Sequence, residues 1–259
     1  TKVMIYVMIR MVLSVFGVEF SFESTMWTDV VPWLVVVAIV CAAVMALAQR
    51  EIKRMLSYLI VAEVGYMVGG VWIYKYYGFI GSIFHVISDA CMTLCLFLGA
   101  GLILRKAKTT HFDGLRGLFS KMPLTMTGFF IGGFSIIGLP PTCGFFSKWY
   151  LITGGMVSER WEYMVVLMFS TMVMVVLFFR LIERIHLAVT ESGQNLGHGH
   201  GDLGLTEEQT RFDEGPLSML IPLLVSASVV LIVGIYNQDI VSLIEIFLDE
   251  FNLPRGEGH

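Results

Sequence analysis

Three stretches of this sequence, Val30 to Gln49, Met122 to Ser147 and Gly215 to Gln238, contain no charged residue. A helix of ~20 apolar residues crosses the ~30 Å of hydrocarbon in a bilayer, and each stretch reaches that length. Lipid offers the backbone no hydrogen bonds, so a spanning segment must satisfy its amides internally, as a helix or within a closed barrel. Barrel strands read as short segments alternating apolar and polar residues, whereas these runs are apolar on every face. The fold class is therefore all-α, a polytopic transmembrane helical bundle. Composition excludes a soluble enzyme: 56% of residues are hydrophobic and 15% charged, against about 25% charged in soluble domains. A net charge of −4, with no basic tract interleaved with aromatics, gives no footprint for a nucleic-acid partner.

Apolar runs between polar breaks predict about seven spans, at 1–19, 30–49, 52–74, 78–104, 123–158, 161–187 and 216–236. The fifth is too long for a single crossing and carries Leu139-Pro140-Pro141 at its middle, flanked by Gly138 and Gly144. Two prolines remove two amide donors and push the preceding residue out of helical geometry, so this span is expected to be one broken helix, interrupted between Gly138 and Gly144. The polar segment 190–215 reads as a solvated loop, and its His198 and His200 lack the further ligands a metal site needs. Ile240 to Phe251 has the spacing of a short amphipathic helix. The four cysteines lie inside apolar runs and read as membrane-buried free thiols. The chain opens at Thr1-Lys2, already apolar and without methionine, which is the expectation for a piece of a longer protein.

Eleven Lys and Arg residues fall in the breaks after spans two, four and six, among them Arg50, Lys53, Arg105, Lys121 and Arg180, whereas the opposite side holds Lys75, Arg160 and Arg255. The positive-inside rule makes the basic-rich side cytoplasmic or matrix-facing.

Ionisable residues inside spans carry the functional reading, because a charge at the bilayer centre costs about 3 kcal/mol on insertion scales. Lys2 and Arg10 lie on the first span, Glu63 on the third, His85 and Asp89 on the fourth, and Lys148 just past the Pro-Pro break. His85, Asp89 and Thr93 are spaced by four and so face one side of a helix, about 6 Å apart per step; Ser88 points elsewhere. The stripe reads either as a structural pair pinning two helices or as a proton relay. A lysine desolvated beside a helix break is able to load and release a proton, and the competing reading is a lysine snorkelling to the interface. For Arg10, near its span's end, snorkelling suffices. Glu63 reads equally as an ion-pair partner or a relay group.

These residues sit in phrases that resemble the antiporter-like, proton-conducting subunits shared by respiratory complex I, Mrp-type sodium/proton antiporters and membrane-bound hydrogenases. The phrases are Ala48 to Tyr58, Glu63-Val64-Gly65-Tyr66, His85 to Phe97, Lys121-Met122-Pro123, and Gly138 to Pro141 with Gly144 to Trp149. The resemblance covers about residues 1–190. It implies the family's helices eight to fourteen of fourteen, with the second five-helix inverted repeat at roughly 30–187. By resemblance Lys2 matches the relay lysine of helix eight and Lys148 the lysine on broken helix twelve. Many members carry a second histidine and a lysine where this chain has Asp89 and Thr93, and Gln or His where it has Glu63.

The expected organisation is a proton-conducting region at 1–189, a polar inside loop at 190–215, and a last span with amphipathic tail at 216–259. The expected function is translocation of H⁺ or Na⁺ through Lys2, Glu63, His85, Asp89, Thr93 and Lys148, with other membrane subunits as partners, no nucleic acid, and a prokaryotic inner membrane as the location. No residue set for hydride transfer, flavin, haem or iron–sulfur binding is visible, so no cofactor is expected and redox chemistry would belong to partner subunits. Two other classes remain: a structural membrane subunit without conduction, and a haem-binding anchor, which needs deep histidines facing each other where only His85 is deep.

Overall fold

The computed structural model describes residues 1–23, 27–108, 121–194, 214–251 and 253. Their regular elements are helices: α1 (Lys2–Arg10), continued by a π-helical turn (Met11–Val15), α2 (Val18–Glu23), α3 (Trp27–Ala48), α4 (Ile52–Trp72) and α5 (Tyr76–Ala107). There follow α6 (Pro123–Ile137), α7 (Cys143–Val157), α8 (Trp161–Gln194), α9 (Leu217–Ile235) and α10 (Asn237–Asp249). Within α3, α4, α5, α8 and α9 lie five segments long and apolar enough to cross a membrane. Their outward faces carry large apolar side chains, Leu34 at 60% exposure and Phe179 at 71%, a pattern that water penalises and lipid does not.

The expected fifth span is two 15-residue helices, α6 and α7. The first span is shorter than expected: its helix ends in the π-turn, and Gly17, at φ +76°, separates it from α2. The sixth overruns in the other direction, because α8 continues to Gln194, past the expected ends at 187 and 189. Apolar length marks the part of a helix that lies in lipid and does not by itself set where the backbone hydrogen bonding stops. The remainder of the polar loop, with His198 and His200, lies outside the described residues.

Helix α5 sits at the centre, packed against α1, α4, α6, α7, α9 and α10, while α8 closes the bundle over α3, α4, α6 and α7. Cross-connections sort the ends. Arg160 pairs with Asp29 at 2.9 Å, and the Tyr76 hydroxyl donates to Asp249 at 3.3 Å, which gathers the starts of α3, α5 and α8 with the end of α10. At the other end Arg180 donates to the Leu47 carbonyl at 3.5 Å. There too Glu214 accepts from the Leu124 amide at 2.8 Å and from the Thr125 hydroxyl at 2.8 Å. That carboxylate caps the start of α6, where free amides and the helix dipole favour negative charge. In α10, Asn237, Val241, Ile244 and Leu248 are buried, so the amphipathic tail lies with its apolar stripe on the bundle.

Candidate functional site

The site is built on the interruption between α6 and α7. Gly138 ends α6 at φ +91°, a left-handed conformation that costs glycine nothing. The Gly138 and Leu139 amides both reach back to the Phe134 carbonyl at 3.0 Å, the Schellman closure that satisfies a last-turn carbonyl. In a continuous helix the Ile136 carbonyl would accept from the amide of residue 140, and Pro140 has none. That carbonyl is taken instead by the Lys148 ammonium at 2.5 Å. A cation at the negative end of a helix is the favoured arrangement. The two halves also touch: the Gly144 amide donates to the Ser135 hydroxyl at 3.3 Å, and a Cβ on Gly144 would overlap the Ser135 carbonyl oxygen.

Lys148 is 4% exposed and points into the bundle, so it does not snorkel. Its Nζ lies 3.4 Å from Glu63 Oε1, 3.7 Å from Met174 Sδ and 5.1 Å from the centre of the Tyr66 ring. Four elements therefore enclose one ammonium: α4, the end of α6, α7 itself and α8. The Tyr66 ring is held from α8, its hydroxyl bonding Ser170 at 2.6 Å and its carbonyl accepting from the Tyr163 hydroxyl at 2.8 Å.

Glu63 is fully buried and is shared. Its second oxygen lies 2.7 Å from His85 Nε2, and the other ring nitrogen, Nδ1, lies 2.9 Å from Ser147 Oγ. One turn further along α5, Asp89 pairs with Lys2 at 2.7 Å. Lys2 also donates to the Thr93 hydroxyl at 3.2 Å, whose own proton goes to the Asp89 carbonyl. The Lys2 side chain keeps 24% exposure, while Asp89 has none. Asp89 Oδ1 is buried with no hydrogen-bond partner among the described residues, which leaves acceptor capacity in the interior.

The sequence-derived residues thus fall into two clusters, Lys2–Asp89–Thr93 and His85–Glu63–Lys148, joined by the single turn of α5 between His85 and Asp89. Among the described residues no ion pair or hydrogen bond joins the α5 stripe directly to Lys148; Glu63 stands between His85 and Lys148. Glu63 has two basic partners at once, a placement that fits both its pairing and its relay reading. Ser147, Tyr66 and the Ile136 carbonyl were missed. Spacing held a signal for Tyr66, three residues after Glu63 and hence on its face. The Ile136 contact follows from Pro140 only once the direction of Lys148 is known. Every charge in the pair-bearing core has a counter-charge within 3.4 Å, which is what burial demands of ions in low dielectric. The groups are proton donors and acceptors throughout; among the described residues no set of three or more His, Cys, Asp or Glu converges as a metal site.

Comparison with known proteins adds to this geometry. Residues 1–174 match the model of the family described as NADH:quinone oxidoreductase/Mrp antiporter, transmembrane region. The chain is 34% identical over 255 residues to NADH-quinone oxidoreductase subunit N of Desulforudis audaxviator, covering 98% of this chain and 50% of the relative. It is 30% identical over 231 residues to the D-type component of the Na(+)/H(+) antiporter of Alkalihalophilus pseudofirmus, covering 89% and 43%. It spans about half the length of these curated relatives. Among solved structures, the Mrp complex from Dietzia sp. DQ12-45-1b superposes with a TM-score of 0.77 at 21% identity, over 94% of this chain and 50% of that one, a likeness of fold.

Proposed function

Because the chain belongs to the NADH:quinone oxidoreductase/Mrp antiporter transmembrane family, we propose that it translocates protons as part of a multi-subunit membrane complex. It is an integral, multi-pass membrane protein, and the proposed location is a prokaryotic inner membrane. The observation that carries the reading is the fully buried Glu63 carboxylate set between His85 and Lys148 at 2.7 and 3.4 Å, with the Lys2–Asp89 pair one turn away. Five ionisable groups in a membrane interior are expensive unless used. Protons pass from the Lys2–Asp89 pair to His85, then through Glu63 to Lys148, each step favoured by the charge change next to it. The occupants favour H⁺ over Na⁺: both Glu63 oxygens face nitrogen groups, where a sodium ion would need converging oxygens.

The experiment uses Lys148→Met and Lys148→Arg in the assembled complex. Methionine fills the space without a titratable group, so translocation falls at least tenfold while assembly persists. Arginine fails nearly as badly, since a guanidinium stays protonated at any working pH. An arginine variant translocating at the parental rate overturns the relay. Translocation surviving loss of both Asp89 and Lys148 makes the chain a structural subunit.

A further inference from the structure

Ser147 lies outside every ion pair of the proposed relay, yet its hydroxyl is fully buried and bonded at two places. It lies 2.9 Å from His85 Nδ1 and 3.1 Å from the Gly144 carbonyl oxygen. A serine hydroxyl has one proton to give and two lone pairs. The other ring nitrogen, Nε2, faces a carboxylate oxygen of Glu63 at 2.7 Å and is assigned its proton there, leaving Nδ1 as the acceptor in the neutral ring.

From this geometry we propose that Ser147 is a positioning residue for the relay: its hydroxyl turns between two acceptors, so that His85 is fully hydrogen-bonded both neutral and charged. With the imidazole neutral, Ser147 donates to Nδ1. With the imidazolium present, Nδ1–H donates to Ser147, and the serine proton turns to the Gly144 carbonyl. Neither state leaves a buried donor of the histidine or serine unpaired, and no side chain has to move. The penalty for an orphaned donor is largest where the donor is charged and water is absent, so removing the hydroxyl penalises the charged histidine selectively. Because Gly144 belongs to the first turn of α7 and Ser147 precedes Lys148, the switch sits on the broken helix itself. It therefore links the proton count of His85 to the segment that carries Lys148.

The inference rests on the relay reading, and the test separates the two. Among the described residues the titratable and charged groups facing His85 are Glu63 and Tyr66 on α4 and Asp89 one turn along α5, with Lys148 on α7 behind Glu63 and Lys2 on α1 behind Asp89. All stay in place in the variants at position 147. Translocation by the assembled complex is measured across pH for Ser147→Ala and Ser147→Thr, beside Lys148→Met, with complex abundance in the membrane as the control for folding. Infrared difference spectra with ring-labelled histidine report the imidazole modes. Alanine removes one oxygen and is expected to lower the rate at least tenfold, to displace the pH profile, and to move the imidazole band. Threonine keeps the hydroxyl and is expected to retain at least half of the parental rate with the band unmoved. If the alanine variant keeps the parental rate, profile and band while Lys148→Met is inactive, the Ser147 inference falls and the relay stands. If threonine loses as much as alanine at normal abundance, the hydroxyl is not the reason and the inference falls as well. A Lys148→Met variant at the parental rate removes the relay itself.

Discussion

Replacing Glu63 by glutamine removes the negative charge that Lys148 and His85 have in common, while leaving the volume of the side chain. At 3.4 Å, and at the effective dielectric of about 20 that fits protein sites, a unit pair attracts by roughly 5 kcal/mol. Part of that offsets the cost of drying both ions, and removing one member of a buried pair costs about 3–5 kcal/mol because the other charge is stranded. The glutamine oxygen still accepts one hydrogen bond, which places Glu63→Gln near the lower end, about 3 kcal/mol. Lys148→Met alone is milder, since His85 remains beside the carboxylate. The informative variant is the double one. With Glu63→Gln and Lys148→Met together neither charge is stranded, and an uncharged buried pair is often as stable as the ionic one. The double variant therefore recovers about 2 kcal/mol of the summed losses. The assay is the temperature at which the purified protein leaves its size-exclusion peak in detergent. At about 2–4 °C per kcal/mol for a chain of this size, Glu63→Gln lowers it by about 6 °C or more. Two strictly additive single losses would refute the shared-charge reasoning, as would a Glu63→Gln variant with parental stability.

Two further variants probe the frame around the site. Gly144→Ala drives a methyl group onto the Ser135 carbonyl oxygen, where backbone must move, and is expected to cost more than about 3 kcal/mol; membrane abundance at the parental level would show that the two half-helices do not approach so closely. Glu214→Ala uncaps α6 and is expected to cost about 1 kcal/mol, seen as faster hydrogen exchange at the Leu124 and Thr125 amides, whereas unchanged exchange would mean that the carboxylate does not hold them.

What the sequence disclosed followed from rules that act locally. Uncharged length announced the spans, and Pro140-Pro141 announced the break, because a missing amide is a property of the residue itself. The stripe His85, Asp89, Thr93 was legible because four-residue spacing fixes a face of a helix. The partners of that stripe were not. Glu63 stands 22 residues before His85 and 85 before Lys148, and only the packing of α4 against α5 and α7 brings the three together. Ser147, the fifth residue of α7, gave no signal of its own, since a serine inside a helix ordinarily bonds a backbone carbonyl of the preceding turn. The ends of α1 and α8 depart from the hydropathy pattern in opposite senses: apolar length marks where lipid is, while the helical backbone stops before Gly17 in one case and runs on to Gln194 in the other.

The sharing of Glu63 has a consequence for how many protons the interior holds. Lys2 and Asp89 cancel, and Lys148 and Glu63 cancel, so with a neutral imidazole the buried set carries no net charge. A second cation at His85 would have to share a counter-charge already spent on Lys148, in a medium that penalises any surplus. In the proposed relay, a charge at one of the two bases would thus oppose a charge at the other, because both draw on the one Glu63 carboxylate. Within that proposal the pair would act as a turnstile, admitting one carrier per cycle and opposing a continuous leak along the same line of groups.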